Sequence, residues 1–212
     1  MISARVPPQL APAFELAEAV VRRQFADLAL DPAEGTIHVG GERYVLVRAD
    51  SLYLAWFTAL TSAFGRSAAV GFIYSTAREI GRNDCVAFST RLGLTDGVAR
   101  LASGPIHFAY AGWAFVEIFE DSAPASSDAF FLHYGHPNTF ETEVLRARAM
   151  TSEGCACLFS AGYSAGWCSA AFGLEVHARE IRCLARGDDR CEFIMAPEGK
   201  LDGYAEKLAQ NE

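Results

Sequence analysis

The sequence lacks any long uninterrupted apolar segment. No window reaches the roughly 18 consecutive apolar residues that indicate a membrane-spanning helix. The first apolar run, AFELAEAVV, is interrupted by acidic residues and followed by two arginines, so it does not resemble a signal peptide. These absences predict a cytoplasmic protein with no membrane partner, a compartment in which cysteines are more often metal ligands or buried thiols than disulfides.

Basic residues are also scarce. The chain has 18 Lys and Arg against 26 Asp and Glu, which gives a formal net charge of −8. Because phosphate binding needs a basic face, we expect no direct contact with nucleic acid. The sequence also has no phosphate-binding loop, Rossmann fingerprint, nucleophile elbow or Walker motif. An enzyme is therefore not the preferred hypothesis.

The 212 residues are 51% hydrophobic and 21% charged, which is typical of a folded globular chain with one large or two small domains. Apolar residues at helical spacing predict an amphipathic N-terminal helix, two or three helices after Asp50, a short helix after Pro137, a buried small-residue helix and a polar terminal helix. The corresponding ranges are 11–28, 50–94, 138–150, 155–173 and 201–212.

Strand signals lie between these helices. The range 36–48 contains two alternating runs around Gly40-Gly41 and predicts a hairpin. The aromatic and β-branched ranges 106–120 and 127–136 predict paired strands, and Gly104-Pro105 is interpreted as a turn. LEVHAREIRCLA and CEFIMAP predict a final hairpin. The expected fold class is α+β, an antiparallel sheet packed with helices.

Two of the six cysteines flank the predicted final turn, in EIRCLARGDDRC. A hairpin can bring two sulfurs to the separation that a tetrahedral zinc ion needs, and Cys155, Cys168 and His177 are further candidate ligands. The Cys-x7-Cys spacing differs from the usual knuckle of two to four residues. On spacing alone, a metal site, half of a disulfide and small buried thiols all stay open.

The C-terminal segment resembles the vinyl-reductase-type domain in the sensor half of NtrC-type transcriptional activators that respond to toluene, xylene or phenol. The matching stretch is CLFSAGYSAGWCSAAFGLEVHAREIRCLARGDDRC. Upstream, AEGTIHVGGERYVLV resembles that family's opening hairpin, and NTFETE resembles its Asn-Ser-Phe-Glu-Ala-Glu element. The resemblance extends from about residue 33 to residue 197 and implies an α+β fold whose C-terminal part is stapled by zinc.

The resemblance implies a zinc ion held by three cysteines and a glutamate, at Cys157, Glu180, Cys183 and Cys191. Three thiolates and a carboxylate would form a closed tetrahedral shell, so the zinc would be structural and would contribute to the folding free energy. Cys155 is the rival ligand, although two residues before Cys157 it should point elsewhere.

The resemblance also implies a closed pocket for a small aromatic molecule between the sheet and the helices. In related sensors a histidine and a tryptophan hold a phenolic hydroxyl. By spacing, the histidine position falls on Phe108, with His107 beside it, and the tryptophan position falls on His136. Core packing is the alternative reading of these side chains. Further implied wall positions are Leu101, Ile118, Ala129, Tyr134, Ala161 and Ala178.

The preferred hypothesis is a sensor domain, not an enzyme, that binds a small hydrophobic or aromatic molecule and signals to a transcriptional output. Residues 1–48 would form a dimerisation region, 49–198 the ligand and zinc domain, and 199–212 the start of a linker helix to a downstream ATPase. One alternative is a tetrapyrrole-binding or vinyl-reductase accessory protein. The other is a ligand-free protein-interaction domain.

Overall fold

A computed structural model of the protein describes residues 2–210, so the last two residues of the predicted linker segment 199–212 lie outside the described residues. Seven α-helices occur in this part of the chain. They are α1 (Ala11–Ala26), α2 (Ala49–Phe64), α3 (Arg66–Leu92), α4 (Gly97–Tyr110), α5 (Phe140–Ala147), α6 (Leu158–Phe172) and α7 (Leu201–Gln210). No helix within the described range has the length and apolarity needed to cross a membrane.

Eight strands form two sheets in the same range. The strands are β1 (Ala4–Arg5), β2 (Ala29–Asp31), β3 (Thr36–Val39), β4 (Glu42–Tyr44), β5 (Val116–Ile118), β6 (Leu132–Gly135), β7 (His177–Arg182) and β8 (Glu192–Ala196). The larger sheet has the order β1-β5-β6-β8-β7, and the smaller one has the order β2-β3-β4. Every pairing is antiparallel except that of β1 with β5. The α+β prediction is thus confirmed.

Both predicted hairpins are present. β3 and β4 pair around Gly40 and Gly41, whose φ angles of 56° and 84° lie in the region that favours glycine. β7 and β8 form the final hairpin, with a register shift between Glu180 and Arg182. The sequence reading missed β1 and β2, which have only two and three residues and therefore show little alternation.

The prediction of a strand over 106–120 is wrong in its first half, because α4 continues to Tyr110. The Asp96 side chain caps this helix by accepting a hydrogen bond from the Ala99 N–H at 2.9 Å. Gly104 is not a turn residue, since a Cβ there would lie 2.6 Å from Trp167 Nε1. Close packing of α4 on α6 therefore overrides the β-propensity of IHFAY.

Helices α3 and α6 pack against each other through glycines. A Cβ at Gly162 would lie 2.3 Å from the Tyr74 carbonyl oxygen, and one at Gly166 would lie 1.8 Å from the Arg78 carbonyl oxygen. On the opposing helix, Gly81 approaches the Tyr163 carbonyl oxygen in the same way. The small residues of α6 thus allow contact between the two backbones, and this contact fixes the helix that carries Tyr163 and Trp167.

The larger sheet has two covered faces in its central strands. Leu132 and Tyr134 of β6, with Phe193 and Met195 of β8, belong to the main core against the helices. The alternate residues Phe131, Ile194 and Ala196 pack against Leu201 and Tyr204 of α7. The ring centroids of Phe131 and Tyr204 are 4.1 Å apart. The terminal helix is therefore docked on the reverse side of the strands that face the core.

The N-terminal segment is anchored through Glu18 of α1. Its carboxylate accepts hydrogen bonds from the Ser3 hydroxyl and N–H and from the Tyr110 hydroxyl of α4. The other side of α1 leaves apolar side chains exposed, with Leu16 72% accessible. Residues 1–48 are thus packed on α4 while they keep an apolar outer surface.

The glycine contact between α3 and α6 generates a stability prediction. Gly166→Ala should lower the free energy of unfolding by about 2 kcal/mol or more, because the helices must separate to admit the methyl group. Gly71→Ala, in α3 with open space around its Cβ position, should instead stabilise the protein by about 0.5–1 kcal/mol. Urea denaturation of both variants is the measurement. A Gly166→Ala variant as stable as the wild type would contradict the close backbone contact.

Candidate functional site

The four residues expected to bind a metal lie together. One potential ligand atom from each of Cys157, Glu180, Cys183 and Cys191 falls within 4.8 Å of all the others. The Sγ atoms of Cys157 and Cys191 are 3.6 Å apart, close to the separation of about 3.8 Å that two thiolates have on a tetrahedral zinc ion. The three cysteines are buried and Glu180 is partly buried.

Local structure holds each member of the cluster in place. Cys157 immediately precedes α6, and its N–H donates to Glu180 Oε2 at 2.9 Å. Glu180 lies on β7, while Cys183 and Cys191 lie at the two ends of the connection between β7 and β8. Asp188 stabilises this connection by accepting a hydrogen bond from the Cys183 N–H.

Cys155 lies apart from the cluster. Its Sγ donates to the Glu180 carbonyl oxygen at 3.2 Å, and the Arg186 guanidinium lies 3.8 Å away. The group of four within the described residues does not include this thiol. The expectation that Cys155 points elsewhere agrees with this position.

The charge balance of the cluster fits a divalent cation. Burial raises the pKa of the Cys157 thiol, and burial together with the negative charge of Cys183 raises the pKa of the Glu180 carboxyl. Hydrogen bonds from Cys157 and Cys191 lower the pKa of Cys183. The Oε1 atom of Glu180 is buried and has no hydrogen-bond partner among the described residues. A cation would supply this partner and would displace the protons that the free cluster retains.

An aromatic-lined cavity, here called the inner cavity, lies between α4, α6 and the central strands. The predicted wall residues Leu101, Phe108, Ile118 and Tyr134 all line it. The centre of a water molecule can occupy about 30 Å³ of it. An apolar cavity that holds benzene has about 150 Å³. The walls must therefore move before a ring can enter.

His136 lies beside this cavity and is fully buried. Its ring centroid is 5.7 Å from that of Phe108 and 5.3 Å from that of Tyr134. Neither ring nitrogen has a hydrogen-bond partner among the described residues. Burial lowers the pKa of His136 to about 3, so the ring is neutral at physiological pH and offers one donor and one acceptor.

Tyr134 supplies a second buried polar group. Its hydroxyl makes no hydrogen bond of normal geometry within the described part of the chain, although Ser164 lies beside it in the cavity wall. Buried polar groups without partners are uncommon in proteins and call for an explanation. The inner cavity thus combines apolar walls with two polar groups that are free to orient a ligand.

Four of the predicted pocket residues do not line the inner cavity. His107 points to another side of α4, because successive residues of a helix point about 100° apart. Ala129 is exposed in the loop before β6, where the adjacent Phe130 is buried instead. Ala161 is buried elsewhere on α6, and Ala178 lies on β7, one strand beyond the cavity wall. Counting along the chain could not account for the loop and for the helical form of α4.

The sequence reading did not assign several residues that line the inner cavity. Those on α6 follow helical spacing around the GYSAGWC motif, and Met195 follows the alternation of β8, so these two periodicities could have identified them. The additional lining residues are Gly104, Pro105, Val116, Leu132, Tyr163, Ser164, Trp167, Cys168 and Met195.

Comparison with known proteins confirms the resemblance and the fold. The 4-vinyl reductase domain matches residues 137–197, less than a third of the chain, and this range contains all four members of the cysteine-glutamate cluster. The crystal structure of the phenol-responsive sensory domain of the transcription activator PoxR with phenol matches with a TM-score of 0.76 and 21% identity. This match covers 92% of the present chain and 96% of that chain.

A looser similarity links the chain to trafficking protein particle complex subunit 3 from Naegleria fowleri, solved covalently bound to palmitic acid. Its TM-score is 0.48 at 14% identity, covering 70% of the present chain and 93% of that chain. No curated protein matches the sequence. The chain thus carries a vinyl-reductase-type C-terminal segment within a fold like that of an aromatic-responsive sensory domain.

His107 generates a prediction about acid sensitivity. Its burial lowers the folded pKa to about 4, whereas an unfolded histidine has a pKa of about 6.5. Between these values the unfolded chain binds a proton that the folded chain excludes, so stability should fall as the pH drops from 6.5 towards 4. His107→Gln should flatten this dependence by on the order of 1 kcal/mol per pH unit.

The measurement is urea denaturation at a series of pH values. His38→Gln, on β3 at the surface side of the hairpin, is the matched control and should keep the wild-type slope. If His107→Gln also keeps the wild-type slope, His107 does not titrate as a buried neutral residue.

Proposed function

We propose that the cluster binds one zinc ion through Cys157, Glu180, Cys183 and Cys191. Support comes from the spacing of the four ligand atoms and from the unpartnered Glu180 Oε1. When bound, zinc would neutralise the thiolates and supply a closed tetrahedral shell, which is a structural and not a catalytic role. The ligands would then join the start of α6 to β7 and β8.

We further propose that the protein is a sensor domain for a small aromatic or hydrophobic molecule. The observation that carries this proposal is His136, a neutral, fully buried imidazole with two unpartnered nitrogens beside an aromatic cavity. Apolar burial would supply affinity, and a hydrogen bond to His136 or Tyr134 would orient a polar substituent. The solved neighbour, a sensory domain with phenol, supports this ligand class.

The proposed output is transcriptional regulation, and catalysis is not part of the proposal. The outer surface of α1 and the exposed residues after the β3–β4 hairpin support a homodimer formed by residues 1–48. Residues 49–198 would form the sensing unit, with residues 199–212 leading into a linker to an ATPase. Because α7 packs on the reverse side of β6 and β8, a change in the cavity wall would reach it directly.

The zinc proposal predicts a specific mass difference. Native mass spectrometry should find one zinc ion per chain, and this mass should be absent after denaturation and in Cys183→Ser. Cys85→Ser, which removes a buried thiol outside the cluster, should retain the ion. A folded, metal-free wild-type chain with six free thiols would reject the zinc site.

The ligand proposal predicts a selective effect of His136. His136→Phe keeps an aromatic ring but removes both nitrogens, so it should weaken phenol binding while toluene binding changes little. The loss of one hydrogen bond corresponds to about 1–3 kcal/mol, or roughly 5- to 150-fold in the dissociation constant.

Isothermal titration calorimetry with both compounds measures this effect. Because His136 stays neutral, the phenol affinity of the wild type should also be constant between pH 5.5 and 8. An equal loss of phenol and toluene affinity in His136→Phe would remove His136 from the site.

A further inference from the structure

A second cavity, here called the outer cavity, lies between the β3–β4 hairpin, the end of α1, α3 and α4. The centre of a water molecule can occupy about 490 Å³ of it, against about 30 Å³ in the inner cavity. Since about 150 Å³ is enough to hold benzene, the outer cavity accepts an aromatic ring without rearrangement.

The walls of the outer cavity suit a planar apolar molecule. Phe25, Phe88, Tyr110 and Trp113 line it. Phe25 and Phe88 meet the ring of His107 edge-on, at centroid distances of 5.6 and 5.8 Å. At the rim, Leu46 is 78% accessible, although a large apolar side chain is costly to expose. This arrangement buries a ring between aromatic faces and covers the rim.

A chain of hydrogen bonds forms the polar side of the outer cavity. The Tyr163 hydroxyl donates to Asp84 Oδ2 at 2.9 Å. It must therefore accept from His107 Nδ1, 3.1 Å away, and the neutral His107 then accepts from the Tyr44 hydroxyl through Nε2 at 3.1 Å. The chain ends at Asp84, which lines the cavity and keeps its other carboxylate oxygen for a further donor.

Tyr163 connects the two cavities. Its ring lines the inner cavity, and its hydroxyl lies between His107 and Asp84, which line the outer one. A donor group that binds Asp84 competes with the Tyr163 hydroxyl for the same carboxylate. Occupation of the outer cavity therefore acts on a side chain in the wall of the inner cavity.

We propose that the outer cavity is a second binding site for a small aromatic molecule that carries a hydroxyl or amine donor. The ring lies between Phe25, Phe88 and Trp113, and the donor binds Asp84. The choice of ligand class rests on the proposed sensing function, whereas the site itself rests on the volume, the aromatic walls and the hydrogen-bond chain. Such a site gives the domain two points of contact with its ligand, coupled through Tyr163.

The three tryptophans allow a direct test on the metal-loaded chain labelled with 5-fluorotryptophan. Trp113 lines the outer cavity, Trp167 lines the inner cavity, and Trp56 lies on α2 as a reference. Fluorine NMR during a phenol titration, with equilibrium dialysis for stoichiometry, should show saturable shifts of the Trp113 resonance and a second phenol bound per chain.

Ala87→Phe fills the outer cavity from α3, and Val86→Phe adds the same ring on the same turn outside the cavity. The first variant should abolish the Trp113 response and remove one bound phenol, and the second should leave both unchanged. Ala87→Leu serves as a smaller filler if Ala87→Phe does not fold. Asp84→Asn should weaken phenol at Trp113 about tenfold or more, as expected for a hydrogen bond to a charged group, and leave toluene unaffected.

The outcomes separate this site from the proposed function. If Ala87→Phe keeps the wild-type stoichiometry and Trp113 shift, the response is transmitted from the inner cavity and the outer site is overturned. If only Trp113 responds in the wild type, the outer site stands and the inner sensing site fails. If phenol binds to neither tryptophan environment, both are rejected.

Discussion

The backbone contact between α3 and α6 is the constraint on which the rest of the structure depends. Gly162 and Gly166 let α6 approach carbonyl oxygens of α3 at distances that any side chain would block. With α6 fixed in this way, Cys157 at its start reaches the β7–β8 hairpin, while Tyr163 and Trp167 in its body line the inner cavity. One small-residue helix therefore positions both candidate sites.

The cysteine-glutamate cluster and the inner cavity also share backbone. The His136 N–H donates to the Cys191 carbonyl oxygen at 3.0 Å, and the next strand residues after Cys191 place Phe193 4.6 Å from the His136 ring. A metal that orders the β7–β8 connection would thereby fix the imidazole that faces the ligand. In this protein a structural metal and a binding pocket are parts of one packed unit, since each lies against the same residues of β8.

The sequence predicted the cluster better than the cavities, for a physical reason. Cysteine and glutamate carry distinctive chemistry, so a motif such as EIRCLARGDDRC locates them by spacing alone, and the structure brings the four residues together. Cavity walls consist of ordinary apolar residues whose position depends on the element that carries them. His107 and Ala129 were misplaced because α4 replaces a predicted strand and a loop precedes β6, whereas Leu101 and Tyr134 were placed correctly. The short strands β1 and β2 exist through pairing and have too few residues to leave a periodic signal.

The small volume of the inner cavity limits how a ligand can act. A ring needs several times the present space, so binding must select a state in which part of the wall has moved. The α3–α6 contact leaves no room for α6 to shift towards α3, and the side chains of α6 are held by that backbone. The sheet is the wall that can yield, because β6 and β8 are covered on their reverse side by α7 through a few contacts such as Phe131 with Tyr204. Movement of these strands would then change the packing of the helix that leads to the end of the chain.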